Sequence, residues 1–386
     1  MNLDKIINSK KEYVKHGSHG GEIYNFNPKL FSNSIIDFST NINPLVSPEI
    51  YYQVYLNSIN QIPRYPDSNS TQLKDELVKY FKNEVTRDNL IIGAGSMELI
   101  SIFCDMFISP GDEIIINQPT FSEYAWAIQK NKGFIVNVYR KPENNFRIEV
   151  DSILNIITTK TKAIFICNPN NPNGLLDNPE DLKNIIKIAS QNDVLVFLDE
   201  SFIEFTGESN SFVYKIAAFD NLFICRSFSK FFGLTGIRIG FGISTPEIIN
   251  VVARGQLLWS VNCIGQNVAQ EMLKSKKLIK DSFKFFSKER QFVIKELEKI
   301  PGIKIFPSDT NYILINFTNK KFKATQIKKF LIKENILIRD CSNFNGLNDY
   351  FIRVCINTRE LNLKLIKALK KIQLLNKIIT ISDKYA

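Results

Sequence analysis

Cysteines spaced to share a metal ion or a disulfide are missing from this chain. The six it has, Cys104, Cys167, Cys225, Cys263, Cys341 and Cys355, form no C-x-x-C pair. That argues against a zinc ribbon and gives no disulfide framework, so reduced thiols in a cytoplasm are expected. Histidine is scarcer still. His16 and His19 share one glycine-rich segment, H-G-S-H-G-G, with no further ligands in pattern around it, and no metal site is expected. No run of eighteen apolar residues occurs, and residues 1–9 lack the apolar core of a secretory signal. The expectation is a protein neither exported nor membrane-spanning. The formal charge of +10 lacks clustering: lysines in K-F-K-A-T-Q-I-K-K-F and A-L-K-K-I-Q are spaced as on outward helix faces. Nucleic acid is therefore not expected as a partner.

What is present fits an ordinary soluble globular protein of sizeable core. With 386 residues, 44% hydrophobic and 12% aromatic, the chain suits one large and one smaller domain. Short β-rich runs at 112–117, 163–168, 194–199 and 222–227 are separated by segments of helical period, as in a mostly parallel α/β sheet covered on both faces. In such sheets ligands collect at the carboxyl ends of the strands. The large domain is expected at 46–265. Residues 1–45 and 266–386 would form the smaller α+β part, with a helix at 278–300, strands in I-K-I-F-P, Y-I-L-I-N-F and Y-F-I-R-V-C-I, and a last helix at 359–377.

Around position 230 the chain reads S-F-S-K-F-F-G-L-T-G-I-R-I-G. A lysine able to form a Schiff base, preceded by hydroxyls and followed eight residues later by an arginine, suits a carbonyl cofactor that carries a phosphate. Pyridoxal 5'-phosphate is that cofactor. The stretch resembles the lysine segment of fold-type I pyridoxal-phosphate enzymes, the aspartate aminotransferase superfamily. The resemblance implies Lys230 as the cofactor lysine, with Ser227, Ser229 and Arg238 on its phosphate.

Other motifs join it. Asp199 ends the apolar run V-L-V-F-L-D, where a buried carboxylate needs a partner such as a protonated pyridine nitrogen. G-A-G-S-M-E-L-I opens a helix after a strand, leaving the N–H groups of Gly95, Ser96 and Met97 for an anion. By resemblance, Asn171 of N-P-N-N-P-N-G donates to the ring oxygen and Phe121 stacks on the ring. Asn173 stands where the family has threonine, a change expected to matter little. Tyr65 of R-Y-P-D would reach the cofactor phosphate of a partner subunit, implying a homodimer with shared active sites. Each residue has a plainer alternative: a solvated loop lysine, a helix-capping aspartate, an ordinary turn, a core phenylalanine, a surface tyrosine.

For the reaction, H-G-G (19–21), D-F-S-T-N-I-N-P-L (37–45), W-S-V-N (259–262) and I-L-I-R-D-C-S-N-F-N-G-L (336–347) resemble the L-threonine O-3-phosphate decarboxylases of cobalamin biosynthesis. That resemblance implies substrate contacts from His19 and Asn41. Arg339 and Arg353 are the expected anion receptors, since a guanidinium fork matches carboxylate or phosphate; for Arg339 an ion pair with Asp340 is the alternative. Phe202 stands where the superfamily's aminotransferases commonly carry a tyrosine, as in those decarboxylases. The expected activity is loss of carbon dioxide from phosphothreonine, giving (R)-1-aminopropan-2-yl phosphate, or from phosphoserine, with Lys230, Asp199 and Asn171 as catalytic residues. Histidinol-phosphate aminotransferase is the alternative. A silent cofactor-binding regulator is disfavoured because no DNA-binding extension is attached.

Overall fold

The computed structural model describes residues 16–21, 23 and 35–385. Its strands are β1 (Ile36–Asp37), β2 (Leu90–Gly93), β3 (Glu113–Gln118), β4 (Phe134–Tyr139), β5 (Thr161–Cys167), β6 (Leu195–Asp199), β7 (Leu222–Ser227), β8 (Gly240–Ile243), β9 (Ile303–Ile305), β10 (Tyr312–Phe317), β11 (Ile336–Leu337), β12 (Arg339–Asp340) and β13 (Phe351–Cys355). The helices used below are α1 (Tyr52–Ile59), α2 (Thr71–Tyr80), α3 (Ser96–Phe107), α4 (Glu123–Lys130), α5 (Pro179–Gln191), α6 (Lys276–Leu297), α7 (Ala324–Lys333) and α8 (Arg359–Tyr385).

The large sheet runs in the order β2-β8-β7-β6-β5-β3-β4, and β8 alone is antiparallel to its neighbours. This is the α/β, mostly parallel arrangement of the fold-type I enzymes. Side chains alternate across the strands, so each face of the sheet builds its own core. On one face Phe165, Phe197 and Phe223 stack from strand to strand, with ring centroids 4.7 and 5.5 Å apart, and Phe103 of α3 meets Phe197 edge-on at 5.0 Å. Such pairs add about 0.5–1.5 kcal/mol each beyond area burial. On the other face Ile164, Ile166, Val196, Leu198 and Ile224 pack with Leu182, Ile185, Ile186 and Ala189 of α5. Those four α5 residues recur at helical spacing, and the helix starts where Asn178 accepts the Glu180 N–H at 2.9 Å with proline in the first turn.

A second sheet, β12-β13-β10-β9, is antiparallel and backed by α6, α7 and α8. The face of α6 carrying Phe286, Val293 and Leu297 is buried, and Glu289 on it pairs with Arg359 of α8 at 2.7 Å. Between the sheets runs the segment after β1. β1 pairs with β11, Phe38 bonds to Leu337 and Cys355, and the Asn43 N–H donates to the Lys230 carbonyl at 3.1 Å. This threading brings Ser39, Thr40 and Asn41 against the carboxyl ends of the large sheet. Among the described residues no helix is long and apolar enough to cross a membrane, and no group of three or more His, Cys, Asp or Glu could hold a metal.

Candidate active site

Strands β5, β6 and β7 and the turn after β2 end around a cavity of about 220 Å³, closed from the other side by residues 39–41, β12 and β13. Every residue expected at the site lines it except Gly95 and Tyr65. Gly95 sits directly behind: its φ is +87°, and a β-carbon there would come within 2.4 Å of Arg238 Nη2. Only glycine takes that conformation without cost and leaves room for the guanidinium. Arg238 in turn donates to the Thr235 carbonyl at 3.0 Å and leans toward Ser229 Oγ at 3.4 Å, while Ser227 Oγ accepts the Ser229 N–H at 3.1 Å. Backbone amides, two hydroxyls and a cation thus share one end of the cavity.

Asp199 closes another wall. It is buried at the end of β6, with Oδ1 accepting the Ser201 N–H at 2.8 Å and Oδ2 accepting the Tyr124 hydroxyl at 2.6 Å. Burial pushes its carboxyl above the usual range despite these donors. Tyr124 is fully buried and went unnoticed in the sequence, where nothing in F-S-E-Y distinguishes a core tyrosine from one aimed at a strand end.

Lys230 faces a cationic surrounding. Burial, then Arg353, then Arg238 bring its amine down to about 8. Arg353 rises from the middle of β13, donates to Asn171 Oδ1 and to the Ser39 carbonyl (3.0 Å), and lies over the Tyr312 ring at 5.2 Å. With its oxygen held by Arg353, Asn171 presents its NH₂ as the remaining donor. The asparagine turn is braced by more than its prolines. Asn173 is fully buried and accepts from Asn170 Nδ2 at 2.6 Å, so this side chain does support the turn, contrary to expectation.

Arg339 does not pair with the neighbouring carboxylate. Its guanidinium donates to the Asp340 backbone carbonyl, to Asn343 Oδ1 (2.7 Å) and to the Ser18 carbonyl (2.5 Å), over the Phe344 ring. Asp340 Oδ1 instead accepts the Ser342 N–H at 2.9 Å. His19 lies 5.4 Å from the Phe121 ring, and both histidines reach Glu123, a residue not picked out from the sequence.

Tyr65 lies outside the cavity of its own chain. It is 77% exposed and stacks on Trp259 with centroids 4.2 Å apart, which joins the R-Y-P-D and W-S-V-N blocks. Tyr52 and Tyr55 of α1, Ile62, Leu257 and Leu258 are exposed as well.

These residues fit pyridoxal phosphate. Among the described residues Asn41 Oδ1 and Arg353 Nε are buried without a hydrogen-bond partner, and Asp199 is a buried carboxylate with room for a cationic neighbour. Gly240 keeps the anion end open, because a β-carbon there would lie 2.8 Å from the Ser96 nitrogen.

Comparison with known proteins bears on the reaction. The family model for aminotransferase class I and II matches residues 33–369. A histidinol-phosphate aminotransferase of Methanosphaera stadtmanae is 36% identical over 340 residues, 88% of this chain and 90% of that one. Further relatives bearing the same name are 31–33% identical. The crystal structure of the histidinol-phosphate aminotransferase from Clostridium acetobutylicum has a TM-score of 0.81 at 34% identity, covering 87% of this chain and 98% of that one. L-Threonine-O-3-phosphate decarboxylase from Porphyromonas gingivalis is more distant, with a TM-score of 0.77 at 25% identity and the same coverage.

The decarboxylase expectation is overturned by these relatives, and with it the lyase class and the cobalamin role. Phe202 is one of the features shared with the decarboxylases. In the structure it packs edge-on against Tyr312 at 4.9 Å, forming part of the cavity wall. An absent hydroxyl there alters what the ring oxygen can bond to, but it does not select which bond at the substrate carbon breaks.

Proposed function

The chain belongs to the class I and II aminotransferases, which depend on pyridoxal 5'-phosphate, and we propose that it transfers the amino group of histidinol phosphate to a keto acid, 2-oxoglutarate being the acceptor to test first. The observation that carries this reading is similarity to histidinol-phosphate aminotransferases, 36% and 32% identical over 88% and 95% of the chain. The cavity supports it: two guanidinium groups suit a phosphate on one substrate and carboxylates on the other.

When bound, the cofactor supplies an electrophilic carbon and an electron-accepting ring. Asp199, held by Tyr124 and Ser201, would keep the ring nitrogen protonated, and the NH₂ of Asn171 would meet the ring oxygen. Gly95, Ser96, Met97, Ser227, Ser229 and Arg238 would hold the cofactor phosphate, with Phe121 on the ring face. Lys230 is suited to moving a proton at its Nζ because an amine brought to about 8 is partly neutral near neutral pH. Arg339, Arg353, His19 and Asn41 would bind and orient substrate. The exposed apolar surface around Tyr65, α1 and Leu257 would be covered by a second copy of the chain, giving a homodimer in which Tyr65 completes the partner's phosphate site.

The test is a coupled assay. Histidinol phosphate with 2-oxoglutarate should yield glutamate in stoichiometric amounts, and histidinol phosphate alone should convert the bound cofactor to its aminated form once per site. Absence of both would refute the reading.

A further inference from the structure

Outside the chemistry assigned above, one buried carboxylate has an unusual set of partners. Glu123 opens α4, and only 3% of its side chain is exposed. Its Oε2 meets His16 Nδ1 at 2.6 Å, while its Oε1 meets His19 Nε2 at 2.7 Å and accepts the Gly17 N–H at 3.0 Å. One carboxylate therefore binds three groups of the arm, on residues 16, 17 and 19. The imidazoles themselves are 61% and 41% exposed, so the arm is a strap laid on the surface, with Glu123 beneath it. Around this point the fit is close: His16 stacks on Trp126 at 4.2 Å, and a β-carbon on Gly17 would lie 2.2 Å from Ser122 Oγ.

The strap leads directly to an anion receptor. Between the two histidines, the Ser18 carbonyl accepts from Arg339 Nη2 at 2.5 Å and from Asn343 Nδ2 at 3.2 Å. At the far end the Gly21 N–H donates to Ser39 Oγ at 2.8 Å, and Ser39 itself lines the cavity. Burial alone would raise the carboxyl of Glu123, yet the bonds from His16, His19 and Gly17 hold it below the usual range. The arm therefore supplies the donors that make an ionised carboxylate tolerable there.

We propose that Glu123 is a positioning residue: its carboxylate docks the arm 16–21 across the mouth of the cavity and, through the Ser18 carbonyl, aims Arg339 at the phosphate of the substrate. The second half rests on the reading of the substrate as a phosphorylated amine; the docking itself does not.

Four measurements on the holoenzyme test it, each comparing Glu123→Ala and Glu123→Gln with the wild type. Trp126 emission reports docking, because an imidazole stacked on indole quenches it; it should rise in both variants, and the rise should be missing in a Trp126→Phe background. Titration calorimetry with inorganic phosphate should show affinity weakened about fivefold or more, and KM for histidinol phosphate should rise about tenfold with kcat within about threefold. The visible band of the bound cofactor should not move. Gly17→Ala, which disturbs the arm at Ser122 without removing the buried carboxylate, should reproduce the pattern and covers the case in which the Glu123 variants fold poorly. Unchanged Trp126 emission would overturn the docking. A rise in emission with unchanged phosphate affinity, or a shifted cofactor band, would overturn the positioning role. If the wild type does not turn over histidinol phosphate, the function reading fails, and emission together with phosphate affinity still decides this proposal.

Discussion

The Lys230 amine gives the sharpest quantitative expectation. An ordinary lysine at 10.5 is almost wholly charged at pH 7, whereas one at about 8 is neutral in roughly one molecule in eleven, about 300 times the fraction. Only the neutral amine attacks a carbonyl. When cofactor-free protein is mixed with pyridoxal phosphate, the rate at which the visible band of bound cofactor appears should therefore climb about tenfold per pH unit up to near 8 and then level off. The sign follows from the charges: burial penalises the ammonium, and the cations of Arg353 and Arg238 penalise it further.

The same bookkeeping predicts the response to mutation. Arg353→Met removes a neighbouring cation while burial persists, so the inflection should move up toward, without reaching, the ordinary lysine value. Stopped-flow traces from pH 6 to 10 supply both curves, and Lys230→Ala should give no band at all. A wild-type rate still rising tenfold per unit beyond pH 9 would refute the depressed amine. An inflection unmoved in Arg353→Met would show that the field at Lys230 does not come from that arginine.

Three other changes follow from the geometry. Tyr124→Phe removes only the hydroxyl on Asp199; losing a hydrogen bond to a buried carboxylate should cost about 1.5–3 kcal/mol and lower kcat severalfold, read by urea melts and steady-state kinetics, and a silent variant would show that the Ser201 N–H alone suffices. Gly95→Ala adds strain of about 1–3 kcal/mol at a φ, ψ pair that is essentially glycine's alone and forces Arg238 aside, so cofactor affinity should fall at least about tenfold in equilibrium titrations of the visible band. Mixing Lys230→Ala with Tyr65→Phe protein should restore activity through hybrid dimers if Tyr65 serves the partner's site; no recovery despite demonstrated subunit exchange would confine Tyr65 to its own chain.

The parts legible in the sequence were those in which local chemistry and strand position coincide. The apolar runs ending at Cys167, Asp199 and Ser227 are buried on both faces, so composition alone marked them as inner strands of a parallel sheet. Because such strands deliver ligands at their carboxyl ends, Asp199, Asn171 and Lys230 could be expected near one another before any coordinates. By contrast, β8, read as G-F-G-I, gave no strand signal: two glycines interrupt the pattern, and they are needed there because β-carbons would strike the Ser96 nitrogen and the Phe223 ring.

What the sequence concealed depends on contacts between distant segments. Glu123 and Tyr124 are adjacent in the chain but point to opposite tasks, one gripping residues 16–19 and the other Asp199. No spacing rule could have separated them. The reaction is hidden in the sequence for a related reason. Phe202 and the H-G-G arm resemble the decarboxylases, yet a cavity wall of Phe202 backed by Tyr312 and the clamp that Glu123 makes on the arm would serve any phosphorylated amine equally. Both kinds of enzyme need a phosphate gripped and an amine presented to the same lysine. They differ in which bond at the substrate carbon is aligned for cleavage, an orientation that Arg339, Arg353 and the arm would set jointly and that no single position in this chain encodes.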